Sequence, residues 1–151
     1  MDKTSRKIRG GYVLINNGYV LWLHEETRPR GLTDYKFYCF NGEPKCLYVS
    51  TGLEDHSTAR ISFLDMNWEF APFRRSDYKP QETLPNKPTE FDEMKEIAKR
   101  LAKNTKFVRI DLYEIDEKVY FSEVTFYPCC GYMPFEPEEW DEKMGKWIEL
   151  T

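Results

Sequence analysis

The stretch Phe107, Val108, Arg109, Ile110, Asp111, Leu112, Tyr113, with the charged turn 114–118 and the run from Val119 to Phe126 that follows it, decides the fold. Apolar and polar residues alternate through both runs, which is the period of a half-buried strand. The short connection between them predicts two neighbouring antiparallel strands. Successive side chains leave a strand on opposite faces, so Arg109 and Asp111 share one face, and Glu123 and Thr125 share a face of the next strand. Where those faces coincide, two carboxylates, a hydroxyl and a guanidinium converge. Hard oxygen donors suit Mg2+, which usually takes one or two protein carboxylates and completes its shell with water and phosphate oxygens. Arg109 is then placed to hold a phosphate oxygen. The same alternation also describes a solvated sheet face, whose exposed charge pairs contribute under about 1 kcal/mol each.

Working outward, Asp34 to Gly42 reads as a strand closing on an Asn41-Gly42 turn, with Lys45 to Val49 as the return strand. Strands are expected at 34–40, 45–50, 60–64, 107–113 and 119–126. Upstream, Asn16, Asn17 and Gly18 separate Tyr12 to Ile15 from Tyr19 to Leu23, which predicts a hairpin. Pro72, Pro80 and Pro85 punctuate an irregular loop from Ala71 to Lys87. Pro88 and Thr89 open a helix, with Thr89 as its expected cap. Phe91, Met94, Ala98 and Leu101 recur at helical spacing with Ile97 beside them, and the helix is expected to end near Asn104. The Pro- and Glu-rich tail after Gly131 should dock through its aromatics. The predicted class is α+β, a mostly antiparallel sheet with at least one helix packed on a face.

The run Arg109, Ile110, Asp111, then Glu123, Val124, Thr125, Phe126, Tyr127, Pro128 and Gly131 resembles the metal-binding end of ATP-grasp enzymes. In that superfamily an aspartate on one strand and a Glu-x-Asn pair on the next hold the magnesium ions of ATP, and an arginine two residues before the aspartate touches phosphate. Thr125 stands here in the place of the asparagine. The string Asp34 to Gly42, together with Asp65, Trp68 and the helix containing Met94, Ile97 and Ala98, is similar to the TupA-like ATP-grasp proteins, over about residues 25 to 150. That resemblance implies an ATP-grasp ligase or transferase of bacterial surface-polysaccharide or teichuronopeptide biosynthesis, which activates a carboxylate as an acyl phosphate with ATP and Mg2+. It implies Asp111, Glu123 and Thr125 at the metal, Lys36 and Arg109 as catalytic cations on phosphate, and Glu26, beside Glu25, toward the nucleoside. The partners implied are a nucleotide and a carboxylate or glycan substrate.

At 151 residues the chain has room for one domain, 1–151, equivalent to the C-terminal lobe of an ATP-grasp fold. The family's glycine-rich N-terminal lobe is not expected within it, and Gly10-Gly11 after Lys7 is a weak phosphate loop. A lone C-terminal lobe should have its open face covered by a partner lobe or a second copy of the chain. The alternative is a non-catalytic module that binds a nucleotide, a glycan or a partner. No apolar run approaches the 20 or so residues of a membrane span, and a cytoplasmic location is expected. Lys plus Arg total 22 against 26 Asp plus Glu, so nucleic acid is not an expected partner. Arg74, Arg75 and Tyr78 form a basic-aromatic loop segment with access to an anionic acceptor if it lies near the phosphates. The four cysteines lack Cys-x-x-Cys spacing, which argues against structural zinc, although Cys39 and Cys46 could face each other across their hairpin.

Overall fold

A computed structural model describes residues 10–15, 18–23, 29–53, 55 and 57–150. Its strands are β1 (Gly10–Ile15), β2 (Gly18–Leu23), β3 (Asp34–Phe40), β4 (Glu43–Thr51), β5 (Arg60–Asp65), β6 (Arg74–Arg75), β7 (Phe107–Ile115), β8 (Lys118–Thr125) and β9 (Phe135–Glu136). Helix α1 spans Phe91–Ala102 and α2 spans Glu139–Gly145. Seven strands form one sheet in the order β1-β2-β8-β7-β3-β4-β5, while β6 and β9 make a two-stranded ribbon. Pairing is antiparallel except between β2 and β8, where Leu21 meets Tyr120 and Trp22 meets Phe121. The α+β expectation holds, and the N-terminal hairpin is part of the same sheet.

Alternation along each strand supplies two cores. On one face Phe37, Leu47, Val49, Val108, Ile110 and Leu112 pack against Phe91, Met94, Ile97 and Ala98 of α1. Phe91 is fully buried, its ring 4.9 Å from Trp68 and 6.0 Å from Phe37. Burying a side chain of that size contributes about 1.5–3 kcal/mol. On the other face Tyr38, Phe40, Tyr48, Ile61 and Phe63 meet Phe73, Met133, Phe135, Trp140, Met144 and Trp147. The tail does dock through its aromatics, with Trp147 edge-on to Phe40 at 5.2 Å. Asn41 fixes it further, donating to Trp147 O at 2.7 Å and accepting from Glu149 N at 3.0 Å.

The turns explain where the strands stop. Asn41 (φ 51) and Gly42 (φ 81) give the two left-handed residues that a type I′ hairpin requires. Asp116 (φ 49) and Glu117 (φ 56) do the same between β7 and β8, making that turn tighter than the sequence suggests. Asp65 Oδ1 accepts from Asn67 N at 2.8 Å and Glu69 N at 2.9 Å, bending the chain after β5 so that Trp68 enters the α1-side core. The loop then runs back along the outer edge of β5, where Ala71 N donates to Phe63 O and Ile61 N to Lys79 O.

Three local expectations are corrected. Cys39 and Cys46 do not face each other, because the register shifts between Tyr38 and Cys39 and sends the two thiols to opposite cores. The loop 71–87 contains β6. Thr89 does not cap α1: the N-cap residue is Glu90, with no side-chain cap bond. The carboxylate of Glu114 on β7 takes that role, accepting from Glu90 N at 2.7 Å and Thr89 N at 3.2 Å. A negative charge there also favours the positive end of the helix. Glu114→Ala should therefore cost about 1 kcal/mol in chemical denaturation, the scale of a lost cap, with Glu114→Gln recovering part of it. An unchanged unfolding midpoint in the alanine variant would remove Glu114 from this role.

Candidate functional site

The pairing of β7 with its neighbours determines what stands together. Lys36 lies across from Asp111 and Tyr38 from Arg109 on the β3 side. On the β8 side Glu123 lies across from Asp111 and Thr125 from Arg109. A bulge at Ser122 shifts the β7–β8 register between Asp111 and Leu112, so Phe121 turns to the α1-side core while Glu123 and Thr125 stay on the face of Asp111. The residues that strand parity placed on one face do share it.

At its centre is Asp111, with no exposed surface. Its Oδ1 accepts from Arg109 Nε and its Oδ2 from Arg109 Nη2, both at 2.7 Å, a bidentate fork. Lys36 Nζ donates to Oδ2 at 2.5 Å. Lys36 is only 12% exposed at its side chain, and Asp34 Oδ1 lies 3.9 Å from its ammonium. Glu123 approaches from the rim, Oε2 at 3.5 Å from Arg109 Nη2, with a side chain 59% exposed. Burial opposes the charge of the Arg109 guanidinium, but the bonds and attraction of Asp111 outweigh it, and its pKa lies above the ordinary value. Thr125 Oγ1 is buried with no hydrogen-bond partner among the described residues.

Two further residues belong to this face, Tyr48, which the sequence reading passed over, and Arg75, which it placed on a loop with access to an anionic acceptor. Tyr48, across from Lys36 on β4, has Lys36 Nζ 5.9 Å from its ring centroid. Burial raises its hydroxyl above the usual phenol range, Arg109 and Arg75 pull the other way, and Asp111 adds to the rise. Arg75 is therefore within electrostatic reach of the same tyrosine. It is buried, forked onto Asp77 at 2.9 and 2.5 Å and stacked 4.8 Å from the Tyr78 ring centre. The basic-aromatic loop is thus folded onto the site face, placed there by the β6–β9 ribbon. Strand parity could have found Tyr48; the segment carrying Arg75 was legible, but its place on this face depends on the distant β6–β9 pairing.

Beside the ionic cluster lies a cavity of about 730 Å³, lined among others by Tyr38, Phe107, Phe126, Tyr127, Met133 and Phe135. Tyr38 links the two, being the cross-strand neighbour of Arg109. Glu25, Glu26 and Lys7 lie outside the described residues, and Gly10 and Gly11 begin β1. Among the described residues no helix is long and apolar enough to cross a membrane, and no group of three or more His, Cys, Asp or Glu gathers as a metal cage.

The family model of the TupA-like ATPgrasp matches residues 15–149. The chain belongs to the TupA-like ATP-grasp family. ATP-grasp proteins generally use ATP and Mg2+, and the strand pair carrying Asp111 and Glu123 falls within the matched region. Neither the curated proteins nor the solved structures give a match.

The ionic cluster makes a stability prediction of its own. Asp111→Ala leaves Arg109 and Lys36 without the anion they share, and removing one partner of a buried pair costs about 3–5 kcal/mol. Glu123→Ala, at the exposed rim, should cost under about 1 kcal/mol. Denaturant unfolding of both variants checks this, and equal losses would mean that Asp111 is not the structural centre of the cluster.

Proposed function

We propose that this TupA-like protein acts in an ATP- and Mg2+-dependent ligase or transferase reaction of surface-polysaccharide or teichuronopeptide biosynthesis, with its nucleotide phosphates at the β3–β7–β8 face. The observation that carries the reading is the Thr125 hydroxyl, a buried oxygen with no hydrogen-bond partner among the described residues, next to two carboxylates held in register. The donor set fits the metal: Asp111, Glu123 and Thr125 offer hard oxygens, and a carboxylate accepting three bonds keeps a lone pair to spare. Two cations face three carboxylates, counting Asp34, so the cluster retains one negative charge to receive a divalent ion. Asp111, Glu123 and Thr125 would hold the ion, which when bound would supply electrostatic stabilisation of the phosphoryl group being transferred.

The chain's own residues then have distinct tasks. Asp111 fixes the direction of both cations before any ligand arrives. Arg109 commits Nε and Nη2 to Asp111, leaving Nη1 to donate to a phosphate oxygen. Lys36 keeps two of its three N–H donors beyond the Asp111 bond. Because both are already oriented, they stabilise charge developing in the transition state without reorganising. The neighbouring aromatic cavity offers the carboxylate or glycan acceptor a water-poor approach to the same edge.

A second reading, a non-catalytic binding module, draws on the same cluster, since Asp111 is already satisfied by its own cations. Calorimetry with Mn2+ and a nonhydrolysable ATP analogue tests the site. Glu123→Gln and Thr125→Val should each weaken binding about tenfold or more, while Thr125→Asn, which keeps a hard oxygen, should preserve it. Unaltered affinity in Glu123→Gln and Thr125→Val would sink the assignment. Turnover separates the readings: Lys36→Met, assayed at a temperature where its melting curve shows it folded, should lower ADP release with carboxylate acceptors by about a hundredfold or more. Nucleotide binding without ADP release in the wild type would favour the binding module.

A further inference from the structure

The four cysteines fall into two kinds. Cys39 and Cys46 are buried in the sheet, and burial pushes the Cys39 thiol up to about 12 and the Cys46 thiol higher still. They are packing residues. Cys129 and Cys130 are exposed, adjacent, and sit on the turn Pro128–Gly131 between β8 and β9. Both adopt left-handed backbone, Cys129 at φ 51, ψ 35 and Cys130 at φ 55, ψ 23, and Gly131 follows at φ 81. For a residue with a Cβ this costs about 1–2 kcal/mol each. The turn is nonetheless fixed, by Cys130 N donating to Tyr127 O at 3.0 Å and Tyr132 N to Cys129 O at 2.9 Å. Two thiols are thereby anchored to neighbouring backbone positions at the protein surface.

What such a pair can do follows from reach. Successive Cα atoms stand about 3.8 Å apart, short of the span of about 4.4–6.8 Å that an ordinary disulfide uses. Closing a direct S–S bond here is strained. Two sulfurs sharing one metal ion avoid that strain, because the ion lengthens the bridge. The ion's class follows from the donors. Structural zinc takes four ligands, and no cage of three or more His, Cys, Asp or Glu assembles among the described residues. Thiolates without further protein ligands select soft ions of low coordination number. Cys129 also lies within electrostatic reach of the buried Arg75 guanidinium.

We propose that Cys129 and Cys130 form a chelating dithiolate site for a soft monovalent cation of the Cu(I) class. The balance is simple: each thiol releases its proton, two Cu–S bonds form, and the ion keeps its oxidation state. The site is separate in chemistry from the hard-oxygen set at Asp111, Glu123 and Thr125, so it does not depend on the nucleotide reading.

The experiment is an anaerobic competition between the whole protein and the coloured Cu(I)–bicinchoninate complex. The wild type should withdraw one equivalent of Cu(I). Cys129→Ser and Cys130→Ser should each weaken that uptake at least about tenfold, the loss that even an outer-sphere change at a metal site can produce. Both positions are exposed, so thermal melting should show the variants folded. Failure of the wild type to compete, or one equivalent still taken by the Cys129→Ser, Cys130→Ser double variant, would overturn the proposal.

Discussion

Asp111 is a carboxylate with no contact with solvent in the middle strand region of a seven-stranded sheet. An ion taken out of water costs several kcal/mol unless its partners are well placed, and here they are, from both directions. Arg109 reaches it along its own strand and Lys36 across from β3. That requirement fixes the β3–β7 register. A slip of one residue would turn Asp111 into the core that Val108, Ile110 and Leu112 share with α1, and would send those apolar residues to the charged face. The contacts that orient the two cations are also the ones that align the sheet.

How much of this was legible depends on the range of each interaction. Strand alternation has a period of two residues, so the shared face of Arg109, Asp111, Glu123 and Thr125 could be read directly, and so could the apolar stripe of α1. The Asn41-Gly42 turn announced itself through residues that tolerate left-handed backbone. The misreadings involve information that no short window contains. Glu114 reaches the start of α1 from 24 residues away, so the nearer Thr89 looked like the cap. A one-residue register shift separated Cys39 from Cys46. Arg75 joins the site face only because β9, sixty residues downstream, pairs with β6. β2 joins the sheet through β8, almost a hundred residues on.

Trp68 shows how local strain and packing are traded. A large aromatic residue at φ 67 is disfavoured, yet its indole donates to Pro85 O at 2.9 Å and its ring meets Phe91 and Tyr35. The resemblance that singled out Asp65 and Trp68 thus has a structural counterpart: the aspartate shapes the turn that delivers the tryptophan, which in turn supports the helix lying beneath the site strands.

The order of the strands has a further consequence for how the chain is made. β3, β4, β5 and α1 are all synthesised before β7, which is the strand that covers the remaining edge of β3. Until residues 107–115 emerge, the row of backbone donors and acceptors beside Phe37 and Tyr38 is open, and Lys36 lacks the carboxylate across from it. Pairings this distant in sequence form slowly, and an open apolar strand edge invites pairing with another chain. The nascent protein therefore passes through a stage in which the half-built face of the ion cluster carries an open strand edge, and pairing of β7 with β3 closes that edge as it completes the cluster.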